Sequence, residues 1–101
     1  MPPSSFQVTA LPAVSEQIRR ISDHAKAIGY GPSFLEDLAD VNRRLSTDPD
    51  EWGDPIYDYR TLGMTRFRGS TKFFFIHYSV HKLKRLTYVQ SVETNPNGPL
   101  G

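Results

Sequence analysis

Hydrophobic residues in the first half of the chain follow one strand pattern and then two helix patterns. Residues 6–11 alternate apolar and polar side chains, which predicts a short strand. Between residues 12 and 29, and again between residues 33 and 46, apolar residues recur at steps of three and four, which predicts two amphipathic helices. Ser33 and Glu36 have the spacing of a capping box at the start of the second helix. Because the connection between the helices is short, they are expected to be antiparallel neighbours.

The second half of the chain favours strands. Residues 73–80 and 86–92 are rich in aromatic and β-branched side chains. They are predicted to pair across the basic turn formed by residues 81–85. A third strand arm is expected near residues 59–68, where Gly63 interrupts it.

Proline, glycine and aspartate mark the irregular segments. Residues 48–55 are predicted to form a loop, because Asp beside Pro and Gly is turn chemistry. Trp52, within this loop, is expected to cover the edge of the core. Residues 1–5 and 95–101 show no periodicity and are predicted to be loose tails of a single domain spanning residues 1–101.

The predicted order of elements is β-α-α-β-β-β. Two amphipathic helices need an apolar surface on which to bury their stripes, and the strands supply one. We therefore expect an α+β fold in which a two-helix hairpin packs on a twisted antiparallel sheet. The first strand is expected to return to the sheet at an edge or next to one.

Alternation along the strands predicts which side chains share a face. A two-residue turn at Gly69-Ser70 would place Arg66 opposite Phe73, and directly opposed residues lie on the same side of a sheet. The face away from the helices would then carry Arg66, Arg68, Phe75 and His77. The core face would carry Phe67, Phe74, Ile76, Tyr78 and Val80.

Charge is distributed unevenly along the chain, although its net value is only +1. Residues 1–56 hold five basic and nine acidic side chains, a net −4, whereas residues 57–101 hold seven basic and two acidic ones, a net +5. A basic half of this kind favours an anionic partner, with nucleic acid first and an acidic protein segment second. The candidate nucleic-acid-binding residues are Arg60, Arg66, Arg68, Lys72, Lys82, Lys84 and Arg85.

Three residues on the predicted basic face are candidates for catalysis. Arg66 and Arg68 would hold phosphates, and His77 would act as a general acid or base because its ordinary pKa lies near neutrality. The alternative remains open that the two arginines are edge-strand charges that discourage aggregation and that His77 is structural.

Composition excludes several other classes of function. The chain has no cysteine, which excludes disulfides, iron–sulfur clusters and cysteine nucleophiles. Its three histidines lack metal-ligand spacing, and no glycine-rich phosphate loop is present. We therefore predict no metal and no cofactor. No apolar run is long enough to span a bilayer and no signal peptide is recognisable, so a cytoplasmic protein with no membrane partner is expected.

Several segments of this chain are similar to those of the RelE/ParE superfamily, the toxin components of bacterial type II toxin–antitoxin systems. The resemblance runs from Phe6 to about Asn95. It rests on the element order, on the second helix ending in RRLSTDP and on the WGDP segment. It also rests on Arg66-Phe67-Arg68 and on the aromatic strands FFIHYSV and LTYVQSV.

The RelE-like branch of this superfamily implies an endoribonuclease that cleaves mRNA at the ribosome from a concave basic face. Arg66 and Arg68 match two basic positions of the family's second strand. The family's third-strand arginine falls on Phe75, and its C-terminal basic, aromatic or histidine residues have no counterpart in residues 93–101. The catalytic set is therefore incomplete, with His77 as a possible replacement.

Two further functions remain open under this resemblance. The ParE-like branch implies a non-catalytic inhibitor of DNA gyrase, and a third possibility is a non-toxic domain that binds only a protein. In each case the implied partner is an acidic, partly disordered antitoxin, a segment that folds when it binds.

Overall fold

Two helices follow a short first strand. The computed structural model describes residues 5–101, so most of the predicted N-terminal tail lies outside the described residues. Strand β1 is Gln7–Ala10, helix α1 is Pro12–Ala27 and helix α2 is Gly31–Thr47. Helix α2 begins two residues earlier than predicted, because Pro32 suits its first turn. The predicted capping box is wrong, since no side chain caps α2.

A five-stranded sheet forms the second layer of the molecule. Four strands follow the helices: β2 is Asp54–Tyr59, β3 is Met64–Ser70, β4 is Phe74–His81 and β5 is Leu86–Thr94. Their order in the sheet is β1-β5-β4-β3-β2. The predicted α+β fold, with two helices packed against a sheet and the order β-α-α-β-β-β, is confirmed, with one additional strand.

The sheet differs from the prediction in two ways: one pair of strands is parallel, and an additional strand follows the helices. β1 pairs parallel with β5, so the sheet is mixed rather than wholly antiparallel. The segment predicted as a loop over residues 48–55 contains a short helix, α3 (Pro49–Trp52), and the start of β2. The expected arm near residues 59–68 is therefore two strands, β2 and β3, joined by a 3₁₀ turn that ends at Gly63 (φ 65°).

The predicted register between β3 and β4 is wrong, but its assignment of faces holds. Arg66 lies opposite Ser79 rather than Phe73, a shift of six residues. Gly69 and Ser70 belong to β3, and the turn consists instead of residues 71–73, where the Thr71 hydroxyl accepts hydrogen bonds from two backbone N–H groups. Because six is an even number, every side chain keeps the face that alternation assigned to it.

The core lies between the two helices and one face of the sheet. The helices contribute Val14, Ile21, Ala25, Phe34, Val41 and Leu45, and the sheet contributes Phe67, Phe74, Ile76, Tyr78, Val80, Val89 and Val92. Trp52 is half-buried and stacks on the ring of Tyr78 with centroids 5.8 Å apart, which confirms that it covers the core edge.

A buried tyrosine joins α3 to the sheet. The Tyr78 hydroxyl donates to the carbonyl oxygen of Pro49 (2.6 Å) and accepts from the backbone N–H of Gly53 (2.9 Å). Burial raises the pKa of Tyr78 to about 12, so the hydroxyl stays protonated and can donate. The Tyr78 hydroxyl therefore links both ends of α3 to the sheet.

The C-terminal segment, predicted as a loose tail, packs against the β3–β4 turn. The Asn95 backbone N–H donates to the Phe73 carbonyl, and the Asn95 side-chain amide donates to the Thr71 carbonyl. Leu100 is only 9% exposed. Within residues 5–101 no helix is long and apolar enough to cross a membrane.

Candidate nucleic-acid interface

The face of the sheet away from the helices is ordered in rows that cross the strands. In the first row Asp54 of β2, Arg68 of β3, His77 of β4 and Ser91 of β5 are successive partners. Directly opposed residues have Cβ atoms roughly 5 Å apart on one face. The pairing therefore brings two of the three candidate catalytic residues together, Arg68 beside His77.

The second row lies next to the first and extends to the far edge of the sheet. It contains Tyr57 of β2, Arg66 of β3, Ser79 of β4, Tyr88 of β5 and Thr9 of β1. Arg66, the third candidate catalytic residue, thus lies one row from Arg68 and His77. Alternation of side chains along each strand produces both rows.

His77 is surrounded by groups that favour its neutral form. Burial lowers the pKa of His77 most, and the positive charges of Arg66 and Arg68 lower it further, against a smaller opposing effect of Glu93. Its Nδ1 lies 3.0 Å from the hydroxyl oxygen of Ser91. Burial and the two arginines therefore favour the neutral form of the imidazole, and the Ser91 hydroxyl lies within hydrogen-bond distance of the ring.

The guanidinium of Arg68 rests on an aromatic ring. Its central carbon lies 4.1 Å from the ring centroid of Phe75, which is within the range of a cation–π contact. The position at which the RelE/ParE resemblance implies a third-strand arginine is thus occupied by a ring that supports Arg68. Because a ring does not neutralise the charge, Arg68 remains able to bind an anion.

Arg66 is half-buried, and its Nε atom is buried without a hydrogen-bond partner among the described residues. Ser79, which pairs with Arg66 from the neighbouring strand β4, is completely buried. A charged side chain held against the sheet in this way has few rotamers left to lose when it binds an anion, and so binds at a smaller entropic cost.

A β-bulge in β5 adds one side chain to this face. His77 is paired with Ser91 but Tyr78 is paired with Val89, so Gln90 is the extra residue. The buried Ser79 hydroxyl donates to Oε1 of Gln90 at 2.9 Å. Gln90 therefore lies over Ser79, and its amide orientation is set by that hydrogen bond.

A pocket of about 380 Å³ opens beside the second row. Its walls come from three strands and the start of α1, and its lining residues are Thr9, Leu11, Met64, Tyr88, Val89 and Gln90. This volume falls within the range of small-molecule sites in proteins, about 300–1,000 Å³. The pocket shares Thr9 and Tyr88 with the second row, to which Arg66 also belongs.

The other predicted nucleic-acid-binding residues lie away from this cluster. Lys82 forms an ion pair with Asp50 at 3.3 Å, and the Arg85 guanidinium packs on the Phe6 ring at 4.4 Å. Arg60 follows β2 in the 3₁₀ turn, Lys72 lies in the β3–β4 turn and Lys84 lies in the β4–β5 turn. The structure thus places Arg66 and Arg68 close together on one face of the sheet, whereas the remaining five candidates lie elsewhere.

Several residues of this face were not identified from the sequence. Ser91 and Asp54 were missed because each becomes a neighbour of the cluster only through cross-strand register. Gln90 was missed because a bulge, which breaks alternation, brings it there. A signal in the sequence was the break in alternation at Tyr88–Ser91, where two adjacent apolar residues are followed by two adjacent polar ones.

The cluster has the chemical groups that act on a phosphodiester. Two guanidinium groups can bind phosphate oxygens, and a neutral imidazole beside them can accept a proton. Within the described part of the chain, no group of three or more His, Asp or Glu side chains is arranged to hold a metal ion.

Comparisons with protein-family models, with curated proteins and with solved structures return no match.

Proposed function

We propose that this protein is a RelE-like toxin of a type II toxin–antitoxin system, which cleaves mRNA at the ribosome through its helix-free face. The observation that supports this function is the position of His77, which is the cross-strand partner of Arg68 and lies one row from Arg66. The partner proposed with it is a cognate acidic antitoxin, and the location is the cytoplasm.

In this proposal His77 acts as the general base. The mechanism uses the tautomer in which Nδ1–H donates to the Ser91 hydroxyl 3.0 Å away, so that Nε2 can take the proton of a ribose 2′-hydroxyl. The 2′-oxygen attacks phosphorus and forms a 2′,3′-cyclic phosphate while the bond from phosphorus to the 5′-oxygen breaks, and the departing 5′-oxygen takes a proton from water. Arg66 and Arg68 stabilise the negative charge that develops on the phosphate oxygens.

A non-catalytic toxin, such as a gyrase inhibitor, is the second candidate. It is favoured by Phe75, which stands where the RelE-like branch carries an arginine and so leaves the phosphate with one cation fewer. A toxin of this kind needs a binding surface but no general base.

The two candidates differ in their response to the loss of His77. His77→Ala is expected to lower the rate of mRNA cleavage on purified ribosomes by about 100-fold or more, the usual contribution of a general base. A gyrase inhibitor would retain its inhibition of supercoiling in the same variant. Absence of cleavage by the wild-type protein on programmed ribosomes would rule out the enzymatic proposal.

The arginines provide a second test with a matched control. Arg66→Ala and Arg68→Ala are expected to relieve growth arrest on induction, whereas Lys84→Ala is not, because Lys84 lies in the β4–β5 turn away from the cluster. Equal relief by all three variants would show that the whole basic half, rather than this cluster, carries the toxicity. A wild-type chain that causes no growth arrest would favour a non-toxic protein-binding domain.

A further inference from the structure

We infer that the pocket beside the second row is a nucleobase subsite that accepts adenine. This inference rests on the proposed function, since it assigns a substrate preference to the same RNA-binding face. Three features support it: the side chain of Gln90, the residues that line the pocket and the distance from the pocket to Arg66.

The position of the pocket suits a base attached to a phosphate held by the arginines. Arg66, Ser79 and Tyr88 are successive partners in one row, and Tyr88 lines the pocket. Neighbouring strands lie about 4.8 Å apart, so the backbones of Arg66 and Tyr88 are separated by roughly 10 Å. One nucleotide can therefore contact both places.

The walls of the pocket suit a flat, apolar ring. Tyr88 provides an aromatic face, and Met64 and Leu11 provide apolar surface. Unpaired bases of single-stranded RNA are commonly held by stacking on such side chains. Stacking alone accepts any base, so the choice among bases must come from polar groups.

Gln90 is the polar group whose orientation the structure sets. Its Oε1 accepts the Ser79 hydroxyl, which identifies the other end of the amide as Nε2, and one lone pair of Oε1 remains. Nε2 has no hydrogen-bond partner among residues 5–101. A glutamine with a free donor and a free acceptor side by side matches the N7 and N6 edge of adenine.

The same amide disfavours guanine. Guanine presents acceptors at both N7 and O6, so Oε1 of Gln90 would face another acceptor. Rotating the amide by 180° does not relieve that conflict, because Oε1 would then face N7, the other acceptor of guanine.

The test is NMR titration with the four ribonucleoside 5′-monophosphates, following backbone amides and the Gln90 side-chain amide. We expect AMP to shift Gln90, Tyr88 and Thr9 at concentrations at least about fivefold lower than GMP, CMP or UMP, the lower limit for a bidentate base contact. Equal affinities for all four nucleotides, shifts confined to Arg66 and Arg68, or no binding at millimolar concentrations would each overturn the inference.

Gln90→Glu isolates the contact without removing the partner of Ser79. A carboxylate still accepts the Ser79 hydroxyl but cannot donate to N7, so the preference for AMP over the other nucleotides should disappear. The ratio of affinities is the readout, because the added negative charge weakens all four nucleotides alike. The control is Gln7→Ala, an exposed glutamine outside the pocket, which should leave the ratio unchanged.

Failure of the subsite and failure of the proposed function are distinguishable. If the pocket is selective but the protein does not cleave mRNA, AMP shifts the Gln90 amide while ribosome assays show no product. If the protein cleaves mRNA without an adenine subsite, cleavage occurs but its sites show no adenine preference and Gln90→Glu leaves their pattern unchanged. The second result overturns the inference and leaves the enzymatic function intact.

Discussion

At the scale of single residues, His77 is the most informative side chain. Its position on the helix-free face follows from strand alternation, and its neutral form follows from burial and from the two arginines beside it. A histidine with a lowered pKa binds fewer protons in the folded chain than in the unfolded chain. Folding is therefore stabilised as the pH rises through the ordinary histidine pKa near 6.5, and that stabilisation is lost as the pH falls through the lowered pKa of the folded state.

We expect an NMR titration of the His77 ring to give a midpoint below 6.5, the ordinary value. Arg66→Gln should raise that midpoint, because it removes a positive charge that opposes protonation. Glu93→Gln should lower it, since Glu93 acts in the opposite direction. A midpoint above the ordinary value, or one that neither variant moves, would contradict this description of the site.

The buried hydroxyl of Tyr78 is expected to contribute to stability. Tyr78→Phe leaves the Pro49 carbonyl and the Gly53 N–H without a partner, at a cost of about 1–3 kcal/mol in the free energy of unfolding. Urea denaturation measures the loss. The control Tyr57→Phe removes a hydroxyl from an exposed ring and should change stability by less than about 0.5 kcal/mol. Equal losses in the two variants would show that the hydroxyl of Tyr78 does not hold α3.

At the scale of elements, the sequence predicted the helices and the core strands well because their patterns are regular. The spacing of apolar residues by three and four predicts the buried face of each helix, and the alternation of side chains predicts the face of each residue in β4. β2 was not recognised because its first residues, Asp54-Pro55, resemble a turn and because a bulge at Ile56 breaks its alternation. Within the site, the pairing of Arg68 with His77 could not be predicted, because it depends on the register between β3 and β4. Alternation does not determine that register, since a shift of two, four or six residues leaves every side chain on the same face.

The packing of Trp52 on β3 can be tested. Gly69 lies in β3 with the Trp52 ring directly against it, and a Cβ at this position would overlap that ring. Gly69→Ala should therefore displace Trp52 and lower the free energy of unfolding by about 1–3 kcal/mol, the usual cost of overpacking. Trp52 fluorescence during urea unfolding reports both effects. A wild-type spectrum and stability in this variant would show that Trp52 does not pack on β3.

At the scale of the whole molecule, the fold separates the basic side chains of the second half of the chain from one another. The basic half of the sequence does not form one basic face, because Lys82 is paired with Asp50 and Arg85 packs on Phe6. Of the seven candidate residues, Arg66 and Arg68 lie in adjacent rows of one face, with Asp54 at the end of the row that contains Arg68. The RNA binding that we propose should therefore depend on a small number of phosphate contacts.

The salt dependence of RNA binding measures that number. For single strands the slope of log K against log salt concentration is about −0.7 for each phosphate neutralised, so two arginines predict a slope near −1.4. Contacts from all seven candidate residues would give a slope of about −5. Fluorescence anisotropy with a short oligoribonucleotide at several salt concentrations distinguishes the two, and a slope near −5 would refute a two-arginine site.

The parallel pairing of β1 with β5 joins distant parts of the chain. Gln7 lies opposite Leu86, so this contact closes a loop that contains both helices and three strands. Contacts between residues so far apart in sequence slow folding, because the entropy of the loop is lost before the contact forms. During synthesis, which proceeds from the N-terminus, the apolar faces of α1 and α2 must remain uncovered until β4 and β5 have left the ribosome. The nascent chain therefore emerges with an exposed helical hairpin, a state that a chaperone can bind before the helix-free face of the sheet exists.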